Sequence, residues 1–223
     1  QYLKEESIDV ACIRGTGFRA LIIVSLAGIK TIIATRITSG KGFETRTYKA
    51  LLPFVIAVNF KLGEYMPRQF LRLLEPLGIA SQDTTKHLTF SETARKKVDE
   101  FFIQTNLGGE DFIVGMSPSA GSKIKEWPAE RFAKVADTLI EKHSAKIIFI
   151  GGPNDTGIVQ NVIKNMKSAS GIINAQGLFS IDELKACISK VNLFVSVDTG
   201  PIYIAEAFNV PTIDIVGPVD VRE

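Results

Sequence analysis

The chain is poor in the residues that build metal centres and covalent scaffolds. Its two cysteines, Cys12 and Cys187, lie far apart in sequence. That excludes a disulfide framework and implies two buried thiols in a reducing compartment. Only two histidines, His87 and His143, are present, and no CxxC or HExxH spacing occurs. The sequence therefore holds no zinc motif, and neither a metal nor another cofactor is expected. Long apolar runs are missing too: the longest, Ala20 to Ile29, is about half of what a bilayer span needs. An excess of one charge is also absent. Lys plus Arg number 26 against 24 Asp plus Glu, a net of +2, which gives no global drive toward nucleic acid.

What remains is an ordinary globular composition, with 45% hydrophobic and 22% charged residues over 223 positions. That length suits one large domain or two small ones. Charge divides along the chain. Residues 1–110 carry 15 basic and 11 acidic side chains, and residues 111–223 carry 11 and 13. The pattern changes at the same place, and the Gly-rich stretch Asn106 to Asp111 reads as a hinge between halves.

The second half alternates short β-branched runs with amphipathic stretches. Strands are expected at 111–116, 146–150, 171–174, 193–197 and 212–216. Between them, helices are expected at 128–143, 155–167, 180–190 and from Gly200 to Asn209. Phe132, Val135, Ala136, Leu139 and Ile140 share one helical face. Ser180 and Glu183 have the spacing of a capping box. Strands joined by helices of this length run parallel with right-handed crossovers, giving a doubly wound sheet. Ligands on such sheets sit beyond the carboxyl ends of the strands. The first half is less regular: a strand at 9–13, a helix from Phe18 closed by Gly28, a strand at 30–35, an irregular segment 36–47, and helical stretches near 64–77 and 91–106.

Four loops have the residue types of a binding site. Gly15-Thr-Gly17 follows a strand and opens a helix, the context of a dinucleotide turn, and Arg36 lies about 20 residues on, where a 2′-phosphate could be received. The alternative is a plain strand-to-helix turn. Ser117 to Trp127 offers hydroxyls at Ser119 and Ser122, the open backbone of Gly121, and ammonium groups at Lys123 and Lys125, which together suit an anion. The alternative is a solvated loop with Trp127 as a packing staple. Gly151 to Asp155 allows close approach of a ligand, or is a turn with Asp155 as a helix cap. Asp198, Thr199, Gly200, Pro201 and Tyr203 put a carboxylate, a hydroxyl and free amides at a helix start, or merely cap it.

Together these loops carry a family resemblance. SPSAGSKIKEWP, then IIFIGGPND, NAQGLFSIDEL and VSVDTGPIYIAEAFNVPTIDIVGP resemble, in order and spacing, glycosyltransferase family 9, the ADP-heptose:lipopolysaccharide heptosyltransferases. DVACIRGTGFRALIIVSLAGIK and RQFLRLLEPLGI resemble that family's N-terminal domain. The resemblance implies an α/β fold of GT-B type: two Rossmann-like domains with parallel sheets and no metal requirement. Residues 1–108 would be an acceptor-side domain, incomplete in this chain, and residues 109–223 a nucleotide-sugar donor domain.

The resemblance assigns catalytic roles to Lys125 and Asp198. It assigns donor contacts to Ser119, Gly121, Lys123, Asp155, Thr199, Gly200, Pro201 and Tyr203. It makes the donor an ADP-sugar and the acceptor a lipopolysaccharide-type glycan, reached at the cytoplasmic face of the inner membrane. Two departures stand out. The family carries His where this chain has Tyr203, which donates a hydrogen bond but forms no imidazolium. The family also begins with a strand and a Gly-Asp loop that supplies the acceptor-activating base. The chain is therefore expected to be an internal portion of a longer transferase. The rival readings are a non-catalytic sugar-nucleotide module and an NADP-dependent oxidoreductase built on the Gly15 turn.

Overall fold

A computed structural model describes residues 6–39, 44–168 and 170–217. The chain divides into two compact units, the first running through Thr84 and the second from Thr85.

In the first unit, β1 (Val10–Ile13), β2 (Thr31–Ser39) and β3 (Ile56–Lys61) form a parallel sheet in that order. Helix α1 (Phe18–Leu26) joins β1 to β2 and ends at Gly28, whose φ of 80° is the left-handed conformation that glycine takes without strain. β2 continues through residues 36–39, which sequence placed in an irregular segment; positions 40–43 of that segment lie outside the described residues. Helix α2 (Arg46–Leu51) follows, with the Thr45 hydroxyl accepting from the Tyr48 N–H. Helix α3 (Met66–Leu71) starts with Pro67 in its first turn and passes into a 3₁₀ segment, Arg72–Leu77. The expected burial of both cysteines holds for Cys187 alone. Cys12 is exposed, because β1 turns only Ile13 fully inward. Burial pushes the Cys187 thiol up to about 12.

The second unit follows the sequence pattern closely. Its strands are β4 (Ile113–Ser117), β5 (Lys146–Phe149), β6 (Ile172–Asn174), β7 (Leu193–Val197) and β8 (Thr212–Ile215), all parallel, in spatial order β6-β5-β4-β7-β8. The helices are α4 (Glu92–Gln104), α5 (Ala129–His143), α6 (Thr156–Asn165), α7 (Ile181–Ile188) and α8 (Gly200–Ala207). Strand alternation divides the apolar run of β5 between the two faces of the sheet. Ile147 and Phe149 pack with Phe132 and Ala136 of α5 and Val159 and Val162 of α6. Ile148 and Ile150 pack with Val98 of α4, Ile188 of α7 and Ala205 of α8. The capping box at α7 is formed: the Ser180 N–H donates to Glu183 Oε2 at 2.7 Å, and Ser180 Oγ accepts from the Glu183 N–H at 3.4 Å.

The units part at 84/85, not at 108/109. The reason is α4, which packs on α7 of the second unit. Lys97 pairs with Glu183 at 2.8 Å, the Ser91 N–H donates to Asp182 at 3.0 Å, and Lys190 pairs with Asp99. The Gly-rich stretch expected to be a hinge is thus internal to the second unit. It is held as a turn by the Gly108 N–H donating to Asp111 Oδ2 at 2.8 Å.

Asp137 of α5 is a buried carboxylate that fixes the chain leaving α6, accepting from the N–H groups of Lys167 and Ser168 at 3.0 Å each. Burial disfavours its charge, but these donors outweigh it and hold the carboxyl below its ordinary value. Its contribution is therefore present at neutral pH and is lost as pH falls through the depressed native value. Asp137→Ala is expected to cost about 1–3 kcal/mol at neutral pH, measured by urea unfolding, with the deficit shrinking in acid.

Candidate functional site

The strand order of the second unit reverses between β4 and β7, the first and fourth strands along its chain. A crevice opens beyond the carboxyl ends of two such strands, because their connections leave to opposite faces. β4 feeds the loop from Pro118 to Lys125, and β7 feeds Asp198 and Thr199. The Ser196 hydroxyl of β7 donates to the Ser117 carbonyl of β4 at 3.2 Å and ties the two strand ends together.

In this crevice Lys125 Nζ meets Asp198 Oδ2 at 2.6 Å. The pair is partly covered, with side-chain exposures of 32% and 13%. The other carboxylate oxygen, Oδ1, accepts from the Tyr203 hydroxyl at 3.3 Å. The bond to Asp198 raises the Lys125 ammonium above its ordinary value, so it stays charged throughout the physiological range. Tyr203 is raised as well, first by partial burial and then by the Asp198 charge, and its phenol stays neutral. Lys86 lies 5.1 Å from the Tyr203 ring centre, a cation at the rim of the site.

A cavity of about 380 Å³ surrounds this pair, lined by Gly121, Ser122, Lys125, Asp198, Thr199, Gly200 and Tyr203. Helix α8 starts at its wall. Thr199 stands at the N-cap without a side-chain capping bond, Pro201 occupies the first turn, and that turn holds no acidic residue. The capping alternative for Asp198 and Thr199 is therefore not realised. The amide end of α8 and an ammonium group face one space, an arrangement that attracts an anion. A Cβ on Gly121 or Gly200 would meet nothing within 4 Å, so both backbones are open to a close-lying ligand.

The remaining sequence candidates are dispersed. Ser119 is buried beneath the loop and does not line the cavity. Lys123 faces a neighbouring cavity of about 390 Å³ with Trp127, Gly157 and Asn161. Trp127 packs edge-on to Phe132 at 5.2 Å, the staple alternative for that residue. Asp155 sits at the end of β5, where its Oδ2 accepts from the Gly152 N–H at 2.6 Å and its side chain does not cap α6. The Gln176 side chain, beyond β6, donates to the Gly152 carbonyl at 3.0 Å and braces that turn. The Gly15-Gly17 turn joins β1 to α1 in the first unit, with open space over both glycines.

Sequence reasoning passed over two residues beside the crevice that do not line its cavity. Asp214 of β8 is exposed and does not line the cavity, yet partial desolvation and the Asp198 charge hold its carboxyl above the ordinary value against the pull of Lys125. Its signal was a carboxylate among the apolar residues of the last strand. Gly217 lies against the lysine loop: a Cβ there would stand 3.1 Å from the Ile124 carbonyl oxygen and 3.3 Å from Lys125 Cα. Among the described residues, no cluster of three or more His, Cys, Asp or Glu is placed to hold a metal ion. Nor is any described helix long and apolar enough to cross a membrane.

Residues 23–223 match the family model for glycosyltransferase family 9 (heptosyltransferase). The chain belongs to that family. The family 9 assignment agrees with relatives of known name. Lipopolysaccharide heptosyltransferase 3 of Escherichia coli K12 is 29% identical over 160 residues, which is 71% of this chain and 45% of that protein. The chain thus spans about half of this relative's length. The crystal structure of a family 9 glycosyl transferase from Veillonella parvula superposes with a TM-score of 0.74 at 24% identity, over 96% of this chain and 61% of that one. An Escherichia coli heptosyltransferase solved with ADP superposes with a TM-score of 0.67 at 15% identity, over 98% and 63%. The expected α/β class with Rossmann-like parallel sheets is the fold this family 9 chain adopts, and its structural neighbours are GT-B heptosyltransferases.

Proposed function

We propose that this chain carries the donor-binding part of an enzyme that transfers a heptose or a similar sugar from an ADP-linked donor to a lipopolysaccharide-type glycan, without a metal. The observation that carries the reading is the Lys125–Asp198–Tyr203 cluster set against the amide end of α8 at the strand-order reversal. When an acceptor hydroxyl displaces the nucleoside diphosphate, negative charge grows on the departing phosphate. Preorganised donors that meet that charge lower the barrier. Lys125 supplies an ammonium group, and the first turn of α8 supplies backbone dipoles, so these two do the work a metal does elsewhere. Asp198 keeps Lys125 extended across the cavity, and on donor binding the diphosphate replaces Asp198 as its partner.

The names of the relatives and the neighbour solved with ADP support this choice of donor and acceptor. On this reading the reaction runs at the inner face of the membrane, where the net +4 of residues 1–110 suits an anionic acceptor. A thermal-shift panel with ADP, ADP-heptose and NADPH tests it. Stabilisation by ADP and ADP-heptose is expected. Stabilisation by NADPH alone would overturn the reading in favour of the Gly15-Gly17 turn.

A further inference from the structure

We propose that Asp198 expels the nucleoside diphosphate after sugar transfer: it competes with the diphosphate for Lys125 and reclaims that ammonium as the product leaves. The inference rests on the crevice being the donor site, and concerns how that site is cleared.

The lining of the cavity sets up the competition. Among the described residues that line it, Lys125 is the one cation and Asp198 the one carboxylate. They touch, with Lys125 Nζ 2.6 Å from Asp198 Oδ2. Asp198 is the more covered partner, with a side chain 13% exposed against 32% for Lys125. A diphosphate that reaches Lys125 therefore enters beside a negative charge and takes that charge's partner.

The two partners differ in freedom. Asp198 leaves the end of β7, where Ser196 is paired with Ser117 of β4 and Val197 with Ile215 of β8. Its other oxygen, Oδ1, accepts from the Tyr203 hydroxyl of α8 at 3.3 Å. A short side chain on a paired strand end, held from a neighbouring helix, stays in place. Lys125 ends a single 3₁₀ turn, Lys123–Lys125, in the loop after β4. Its charge rides on a flexible four-carbon stem. The ammonium is the part that moves, between a carboxylate that remains and an anion that comes and goes.

Asp198 has no capping duty that would call for its charge, since the N-cap of α8 is Thr199. A neutral carboxamide would accept from Tyr203 equally well. What only a carboxylate does here is bind the ammonium and repel phosphate. Release is where that repulsion counts. In the donor the terminal phosphate is esterified to the sugar. Once the sugar has moved, the oxygen it left keeps the electrons of the broken bond, so the product carries one more negative charge than the donor. Lys125 and the amide end of α8 stabilise that charge as it forms. Asp198 opposes it and keeps the same attraction from trapping the product.

The test is binding of ADP and ADP-heptose to the full chain at about pH 8, where the terminal phosphate of ADP is ionised. Titration calorimetry and stopped-flow dissociation rates are measured for wild type, Asp198→Asn, Asp198→Ser, Lys125→Ala and the Lys125→Ala/Asp198→Asn double variant. Asp198→Asn should bind ADP about 5- to 30-fold more tightly than wild type, chiefly through slower dissociation. ADP-heptose should gain less. On the Lys125→Ala background the same substitution should also gain clearly less, since no ammonium is left to compete for. A residue that only shapes the crevice, or that contacts the nucleotide, would lose affinity when substituted, so a gain is diagnostic. Unchanged or weaker ADP binding by folded Asp198→Asn or Asp198→Ser overturns the inference. If neither variant folds, wild type decides: ADP bound no more tightly than ADP-heptose supports it, and ADP held about tenfold more tightly overturns it. If wild type and every variant bind no ADP, the donor-site reading itself fails.

Discussion

Lys125→Ala is expected to weaken ADP binding by about 10- to 100-fold while leaving the chain folded. The magnitude is that of one charge-assisted hydrogen bond to phosphate, about 1.5–3 kcal/mol. The folded state has little to lose. The Lys125–Asp198 pair is partly open to solvent, and such pairs contribute about 1 kcal/mol or less. After the substitution, Asp198 still accepts from the Tyr203 hydroxyl. Lys125→Arg should recover part of the affinity, because charge returns on a planar fork instead of a point ammonium. Titration calorimetry on the three proteins, with urea unfolding beside it, separates a lost phosphate contact from a damaged fold. Equal ADP affinity in wild type and Lys125→Ala would remove the lysine from the site.

The largest stability effect is expected beneath the same crevice, where β4 and β7 touch. A Cβ on Gly115 would stand 2.6 Å and 2.9 Å from ring atoms of Phe194, whose side chain is wholly buried. The absence of a side chain at Gly115 is what admits the ring. Phe194→Ala should cost about 3–5 kcal/mol by emptying that volume. Gly115→Ala should cost about 1–3 kcal/mol by forcing the ring aside. The double variant should cost clearly less than the two combined, since the added methyl enters the space the ring has left. A coupling of about 1–2 kcal/mol is the expected result of that cycle. Gly115→Ala should also weaken ADP binding. β4 and β7 carry Lys125 and Asp198 on the loops at their carboxyl ends, so a shift between the strands separates the pair.

How much of this was legible in the sequence depended on how local the signal was. The five strands and the helices of the second unit followed from periodicity, because both faces of its central strands β4, β5 and β7 are covered and their helices carry apolar stripes. The capping box at Ser180 was readable for the same reason: its partners are three residues apart. The first unit was harder. β3 lies just beyond Pro53 and alternates buried with exposed positions, and α2 is a six-residue helix with too few turns for a clear period.

The boundary was misplaced because a glycine-rich stretch says that a chain turns there, but not which unit α4 packs against. In the site, Lys125 and Asp198 were each identifiable from their loops, yet they lie 73 residues apart in sequence. Only the adjacency of β4 and β7 brings them together. Lys123 and Asp155 share loops with good candidates but face elsewhere, since a loop's composition does not say which way each side chain turns. Asp214 escaped notice because the charges that act on it, those of Asp198 and Lys125, come from other elements of the unit.

The central claim is that the crevice between the ends of β4 and β7 holds the diphosphate of a sugar donor. A crystal structure of this chain soaked with ADP tests it most directly. The account predicts phosphate oxygens within hydrogen-bond reach of Lys125 Nζ and of the first turn of α8, with the contact between Lys125 and Asp198 opened. A diphosphate seated on the Gly15-Gly17 turn, with the Lys125–Asp198 pair still closed at 2.6 Å, would contradict it.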